Sequence, residues 1–361
     1  MFWDIIRRPT GPVQWCRFCS TMAEEDKTIK VGCFVQQIVV EGISKQFMVS
    51  ERPEGSASLL RRLVARPRRT IQALDAIGFT MESGELVGYI GPNGAGKSTT
   101  VKIMSGILTP DAGRCEILGR TPWKQRTAHV AAIGVVFGQR SQLWWDVPVQ
   151  DSFDLLKEIY RVPGPEFRAR SQQLVDALQI GDLLRSPVRQ LSLGQRMRCE
   201  MAAALLHSPK ILFLDEPTIG LDTVSKLALR DFLREENLRR GVTIILTTHD
   251  MDDIEALCQR VMVIGHGTLL YDGALTTLKE QYSPLRCIRV VLEHEVEPNG
   301  IQGAARIDVD GPVWHVYYDP LDVPAPALMA QLTSALPLKD VSMEDHDIDA
   351  IIARMYQEMS L

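Results

Sequence analysis

Hydrophobic and polar positions along this chain follow two different periods in turn. Short apolar runs of strand type occur at Gln37–Val40 and Ile43–Val49, at Glu85–Ile90 and at Ile133–Phe137. Ile211–Leu214 and Thr243–Thr247 are apolar throughout and read as fully buried strands. Between the runs the spacing becomes helical. Thr99–Leu108 places Val101, Met104 and Leu108 on one side, and Asp151–Arg189 alternates apolar and charged residues around a turn at Pro163–Pro165. Arg196–His207 (RMRCEMAAALLH) reads as a buried helix. Strands alternating with helices over this distance predict an α/β domain with a largely parallel core sheet. After Tyr282 the texture changes. Cys287–Leu292 and Val313–Tyr318 alternate as strands, Pro324–Leu336 is helical, and Asp347–Met359 closes with a further helix. A small α+β appendage is expected from residue 286 to 361.

Composition narrows the class. With 361 residues, 45% hydrophobic and 24% charged, the chain matches neither a disordered nor a fibrous protein. A net charge of -5 argues against broad nucleic-acid binding through a basic face. No stretch approaches the about 20 consecutive apolar residues that cross a bilayer. If the chain serves a membrane process, another protein is expected to cross the membrane. Seven irregularly spaced cysteines do not read as a disulfide framework, and Cys16-x-x-Cys19 lacks a second ligand pair for zinc. Free thiols in a reducing compartment are expected.

Two segments have open readings. Residues 1–36 are expected to be a poorly ordered N-terminal extension: the first twenty lack an apolar leader and a regular period, and Met22, ahead of AEEDK, is a candidate true start. Residues 50–74 carry Arg52, Arg61, Arg62, Arg66, Arg68 and Arg69 around LLRRLV. This is either a solvated surface insertion or a basic flap touching lipid or a partner subunit.

The chemistry begins at Gly91, where Pro92, Asn93, Gly94, Ala95, Gly96, Lys97, Ser98 and Thr99 continue a G-x-x-x-x-G-K-[ST] motif. The motif needs a strand before it and a helix after it, and both are present. Its glycines let backbone N–H groups turn toward phosphates, and the helix aims its positive end at the same anion. Lys97 suits the β- and γ-phosphates, and the Ser98 hydroxyl suits Mg²⁺. ILFLDE then ends a buried strand in two carboxylates at the sheet edge where α/β ligands bind. Asp215 is expected to hold Mg²⁺ through water, and Glu216 to orient or deprotonate the attacking water. His249 follows TIILTT at a height from which it could reach a γ-phosphate, and Gln139 follows IGVVF in the same way.

GPNGAGKST, Gln139, LSLGQ (Leu191–Gln195), ILFLDEP, GLD (Gly220–Asp222) and His249 together resemble the ATPase subunits of ABC transporters in order and spacing. The likeness covers about Ile38–Gln281. Segments such as LSLGQRMR and HDMDDIEALCQR look like the exporter branch whose permeases are separate polypeptides, close to daunorubicin-resistance and multidrug ATPases. The resemblance implies a P-loop NTPase of ABC type over residues 37–282, with a parallel core sheet and an antiparallel edge subdomain. It also implies a helical signature subdomain at residues 140–200. It further implies that Gln139 touches Mg²⁺ and the attacking water, and that His249 clamps the γ-phosphate. Ser192, Gly194 and Gln195 would face ATP bound by a second copy, and Asp222 would pair across that dimer. ATP and Mg²⁺ are the implied cofactors. A second copy and an integral membrane permease are the implied partners, and the cytoplasmic face of the inner membrane is the implied location.

Three features depart from the common pattern. Leu193 stands where glycine is commoner, although Ser192 and Gly194 are intact. Phe47 offers an adenine-stacking ring, but an arginine-rich stretch separates it from the phosphate loop, and core packing is its other reading. Trp144 and Trp145 fit either a permease-facing anchor or a cap on the local core. Asp345, His346, Asp347 and Asp349 read as a loose metal cluster or as the acidic start of a terminal helix. The rival to a transporter ATPase is a soluble ABC protein acting on ribosomes or nucleic acid. Such proteins carry two ATPase units or a long coiled coil, neither of which is read here.

Overall fold

In a computed structural model of the protein, residues 36–50, 68–138, 141–282, 285–296, 300–344 and 348–358 are described. Met22, Cys16, Cys19, Cys33, the stretch from Arg52 to Arg66, Gln139, and the trio Asp345, His346 and Asp347 fall outside them.

The chain opens with β1 (Gln36–Ser50) and β2 (Arg68–Glu82), which pair antiparallel. After β3 (Leu86–Ile90) and α1 (Lys97–Met104), β4 (Ala112–Ile117) adds to β1, giving a three-stranded sheet in the order β2-β1-β4. Arg68–Leu74 thus belong to a strand rather than to an insertion reaching residue 74. Helix α1 stops at Met104, short of Leu108, because Gly106 turns left-handed at φ 76.

The central sheet takes β5 (Ile133–Phe137), β6 (Ile211–Asp215), β7 (Thr243–Thr247), β8 (Arg260–Gly265) and β9 (Thr268–Ala274). Its order is β5-β6-β7-β3-β8-β9. The first five strands run parallel, and only β9 is antiparallel. Parallel strands are covered on both faces, which is why β6 and β7 are apolar without alternation. In register, Phe137 neighbours Asp215 and Asp215 neighbours Thr247, so the carboxyl ends of β5, β6 and β7 lie level.

Helix α2 (Arg126–Val130) precedes β5, and between β5 and β6 run α3 (Val149–Tyr160), α4 (Gly164–Leu178) and α5 (Leu193–Leu205). Helix α6 (Thr223–Arg240) joins β6 to β7, and α7 (Met251–Leu257) joins β7 to β8. Arg170 of α4 is buried and makes two bonds to the buried Glu236 of α6, at 3.0 and 2.6 Å, which ties these two helices together.

After α8 (Leu275–Tyr282) the chain forms β10 (Arg286–Leu292), β11 (Arg306–Asp310), β12 (Val313–Tyr318), α9 (Ala325–Ala335) and β13 (Leu338–Glu344). These strands make an antiparallel sheet ordered β11-β12-β10-β13. Its apolar face (Ile288, Val290, Trp314, Val316) closes on Leu328 and Leu332 of α9 as a separate small core. The last helix, α10 (Ile348–Glu358), departs from the expected grouping. Ile348, Ile351, Ile352 and Met355 pack into the main core with Leu275 and Leu278, not into the small one.

Candidate functional site

Residues 91–98 leave β3 and enter α1 as a tight loop. Gly96 sits at φ 111, and a β-carbon there would lie 2.6 Å from Ala73 O, so only glycine fits. No side chain caps α1, so its first N–H groups are free to meet an anion. Lys97 is 5% exposed, and its ammonium donates to Gly91 O at 2.6 Å and Pro92 O at 3.1 Å. Burial pulls the Lys97 pKa down, while Glu216 and Asp215 oppose that shift.

Asp215 ends β6 directly beside the loop. Its Oδ1 accepts from Ser98 Oγ at 3.2 Å and from Thr247 Oγ1 at 2.7 Å. A serine hydroxyl against a carboxylate is an all-oxygen donor set, which suits Mg²⁺. Glu216 follows in the left-handed region at φ 57, a conformation that costs a non-glycine residue about 1–2 kcal/mol. Its N–H donates to Thr247 O at 2.9 Å, so β7 holds this turn in place. Glu216 Oε1 lies 2.5 Å from His249 Nε2, and both side chains stay partly open to solvent. Strained backbone of this kind clusters at functional sites, which makes the turn a candidate. Lys97, Ser98, Asp215, Glu216 and His249 are therefore brought together at one sheet edge. Thr247, by sequence pattern only a strand residue, belongs with them through its bond to Asp215. A threonine closing an apolar strand just before a histidine was the available signal.

The loop after His249 is tied down behind this edge. Lys226 is paired with Asp250, and Arg230 donates to the fully buried Asp253 at 2.5 Å.

The second group of predicted residues sits on other turns. Ser192 caps α5: its Oγ accepts from Gln195 N at 3.2 Å, and Gln195 Oε1 accepts from Ser192 N at 2.9 Å, a reciprocal capping box. Asp222 caps α6 through Ser225 N at 2.7 Å, and that bond lowers its pKa. Gly194 packs toward Leu221, which brings the two cap turns side by side. The bonds of Ser192, Gln195 and Asp222 are local, and the structure does not bring these residues to the phosphate loop of their own chain.

Phe47 lies on β1 opposite Ile71, half-buried and outside both large apolar clusters. Its ring has Lys45 Nζ 5.8 Å from the centroid. Core packing therefore does not account for it. Trp144 and Trp145 are 39% and 51% exposed, and Arg196 of α5 sits 5.6 Å over the Trp145 ring. They do not cap the core. Behind them is a residue that pattern reading missed, the buried Glu200 of α5. Its carboxylate accepts from Ser141 Oγ and from Gln142 N at 3.0 Å, which joins the segment after β5 to α5. Burial raises the Glu200 pKa against those bonds. A lone glutamate in the apolar run CEMAAALL was the signal. Cys115, Cys199, Cys258 and Cys287 are free and buried. No helix among the described residues is long and apolar enough to cross a membrane.

Comparison with known proteins gives the family. A family model described as ABC transporter matches residues 74–219. The daunorubicin resistance ATP-binding protein DrrA3 of Streptomyces coeruleorubidus is 34% identical over 210 residues, covering 58% of this chain and 66% of that one. The Nod factor export ATP-binding protein I of Burkholderia thailandensis is 33% identical over 252 residues, covering 68% and 81%. The ABC transporter A family member 1 of Dictyostelium discoideum is 30% identical, and this chain spans only 25% of its length. Among solved structures, that of cbiO1 from Clostridium perfringens, titled as part of the ABC transporter complex cbiONQ, aligns over 66% of this chain and 88% of that one. Its TM-score is 0.53 and its identity 28%.

Proposed function

This chain belongs to the ABC transporter family as an ATP-binding ATPase subunit, and from that premise we propose that two copies close head to tail over two ATP molecules to drive export through a separate membrane permease. The observation that carries the reading is the division of the chemistry between two surfaces. Lys97, Ser98, Asp215, Glu216 and His249 converge at one sheet edge, whereas the amide end of α5 behind Ser192 stands on a separate turn.

In this reading the loop amides of residues 91–96 and Lys97 bind the β- and γ-phosphates, with Thr99 in the first turn of α1. Ser98 and Asp215 would hold Mg²⁺, with Gln139 as a further ligand, and the ion would neutralise phosphate charge. Glu216 accepts the proton of the attacking water, and its bond to His249 keeps the carboxylate aimed at that water. His249 also donates to the γ-phosphate. Ser192, Gly194 and Gln195 present N–H groups and a helix dipole to the γ-phosphate held by the second copy, and Asp222 positions the junction. Phe47 stacks on adenine. Export and a separate permease are supported by relatives whose names are export and resistance ATP-binding proteins. The same names favour this over a soluble factor acting on ribosomes. Docking at the inner face of the membrane follows from the permease partner.

The test is Glu216→Gln in the full chain. ATP binding is expected within about twofold of wild type, with turnover reduced by at least about 100-fold. Hydrolysis at the wild-type rate would remove Glu216 from its role.

A further inference from the structure

The last helix of the chain reaches the back of the phosphate loop. Helix α10 leaves the small C-terminal sheet and buries Ile348, Ile351, Ile352 and Met355 in the main core. Its next residue, Tyr356, is partly buried against that core, and the hydroxyl donates to Ile264 O at 3.1 Å. Ile264 lies near the end of β8, directly behind the loop. A β-carbon on Gly91 would stand 2.4 Å from that same carbonyl oxygen, so backbone meets backbone with no room between. The turn after β8 makes a second contact, as Gly267 N donates to Ala95 O at 3.0 Å. The end of β8 thus supports the loop at its first glycine and again four residues on. Tyr356 is a side chain from the C-terminal region bonded to that support. Burial pushes the Tyr356 phenol well above its ordinary range, so it remains an O–H donor at neutral pH.

We propose that Tyr356 is a positioning residue for the phosphate loop, through which the C-terminal region sets the affinity of the site for nucleotide. This inference rests on the reading of residues 91–98 as the ATP phosphate site. The physical reason is close packing: interiors have no slack, so a displaced Ile264 carbonyl moves Gly91 with it. Loop amides bind phosphate well only when held to within a fraction of an ångström. The tyrosine touches no phosphate and takes no proton. Its effect falls on binding, and Glu216 chemistry is left alone once ATP is seated.

The experiment compares wild type, Tyr356→Phe and Ile351→Val in the full chain. Each is titrated with ATP in the presence of Mg²⁺, and kcat and Tm are recorded alongside. Tyr356→Phe removes only a hydroxyl and is expected to weaken ATP binding about fivefold, the effect of one hydrogen bond, with kcat at saturation unchanged. Ile351→Val loosens the same helix without touching Ile264. It is expected to lower Tm and leave the ATP Kd within about twofold of wild type. Equal Kd values for Tyr356→Phe and wild type would overturn the proposal. Equal weakening in both variants would also overturn it, by assigning the effect to the helix as a whole. A wild-type chain that fails to bind ATP would refute the functional reading itself, a distinct result.

Discussion

Leu193 lies over the backbone of Gly220: a β-carbon at position 220 would come within 2.3 Å of Leu193 Cδ2. Gly220 is also left-handed, at φ 70. The leucine that replaces the commoner glycine in LSLGQ therefore covers the GLD turn of its own chain. The caps of α5 and α6 are locked together by this contact and by that of Gly194 with Leu221. Gly220→Ala is expected to cost about 1–2 kcal/mol from its backbone conformation and a further about 0.5–1 kcal/mol from displacing Leu193. In a Leu193→Ala background only the first cost should remain. Denaturant unfolding of the four proteins measures both, and identical costs in the two backgrounds would show that the contact carries no energy.

The pair Arg170–Glu236 makes a second prediction. Both residues are buried, at 6% and 5% exposure, and Arg170 Nε also donates to Leu205 O at 3.2 Å. Glu236→Leu leaves a buried guanidinium without its carboxylate and is expected to cost about 3–5 kcal/mol in guanidinium unfolding. Arg170→Met with Glu236→Leu should recover most of that loss, because two apolar groups need no partner. A double variant as unstable as the single one would contradict this.

Acid sensitivity should trace to His207. Its ring stacks on Tyr160 with centroids 3.9 Å apart, and Nε2 meets Ile133 O at 2.8 Å. Burial lowers its pKa to about 4. An unfolded histidine titrates near about 6.5, so between these values the unfolded chain holds the extra proton. Stability is thus fully present above pH about 6.5 and falls as pH drops toward about 4, by on the order of 3 kcal/mol. Unfolding measured across that range should show the slope in wild type and a shallower one in His207→Phe. Parallel slopes would assign the acid sensitivity to other groups.

The site was legible in the sequence to the extent that its chemistry is local. The phosphate loop needs eight consecutive residues, and Asp215 and Glu216 end an apolar strand that announces itself. Glu200 and Thr247 gave only faint signals and Tyr356 gave none, because their partners lie 58, 32 and 92 residues away along the chain. Only folding brings such pairs together. The fold showed the same division. Buried parallel strands such as ILFL were plain, while β11 (RIDVD) and β13 (LKDVSME) carry too many charges to stand out from loop sequence. The last helix read correctly as a helix, but its apolar stripe does not say which of two cores receives it.

If two copies close head to tail, each chain holds half of each ATP site. Sedimentation of Glu216→Gln with and without ATP tests it most directly, alongside the same protein carrying Gly194→Glu. An ATP-dependent dimer is expected for Glu216→Gln, returning to monomer when Gly194→Glu is added, with ATP still bound to each chain. A dimer indifferent to the change at Gly194, or a monomer in every condition, would contradict it.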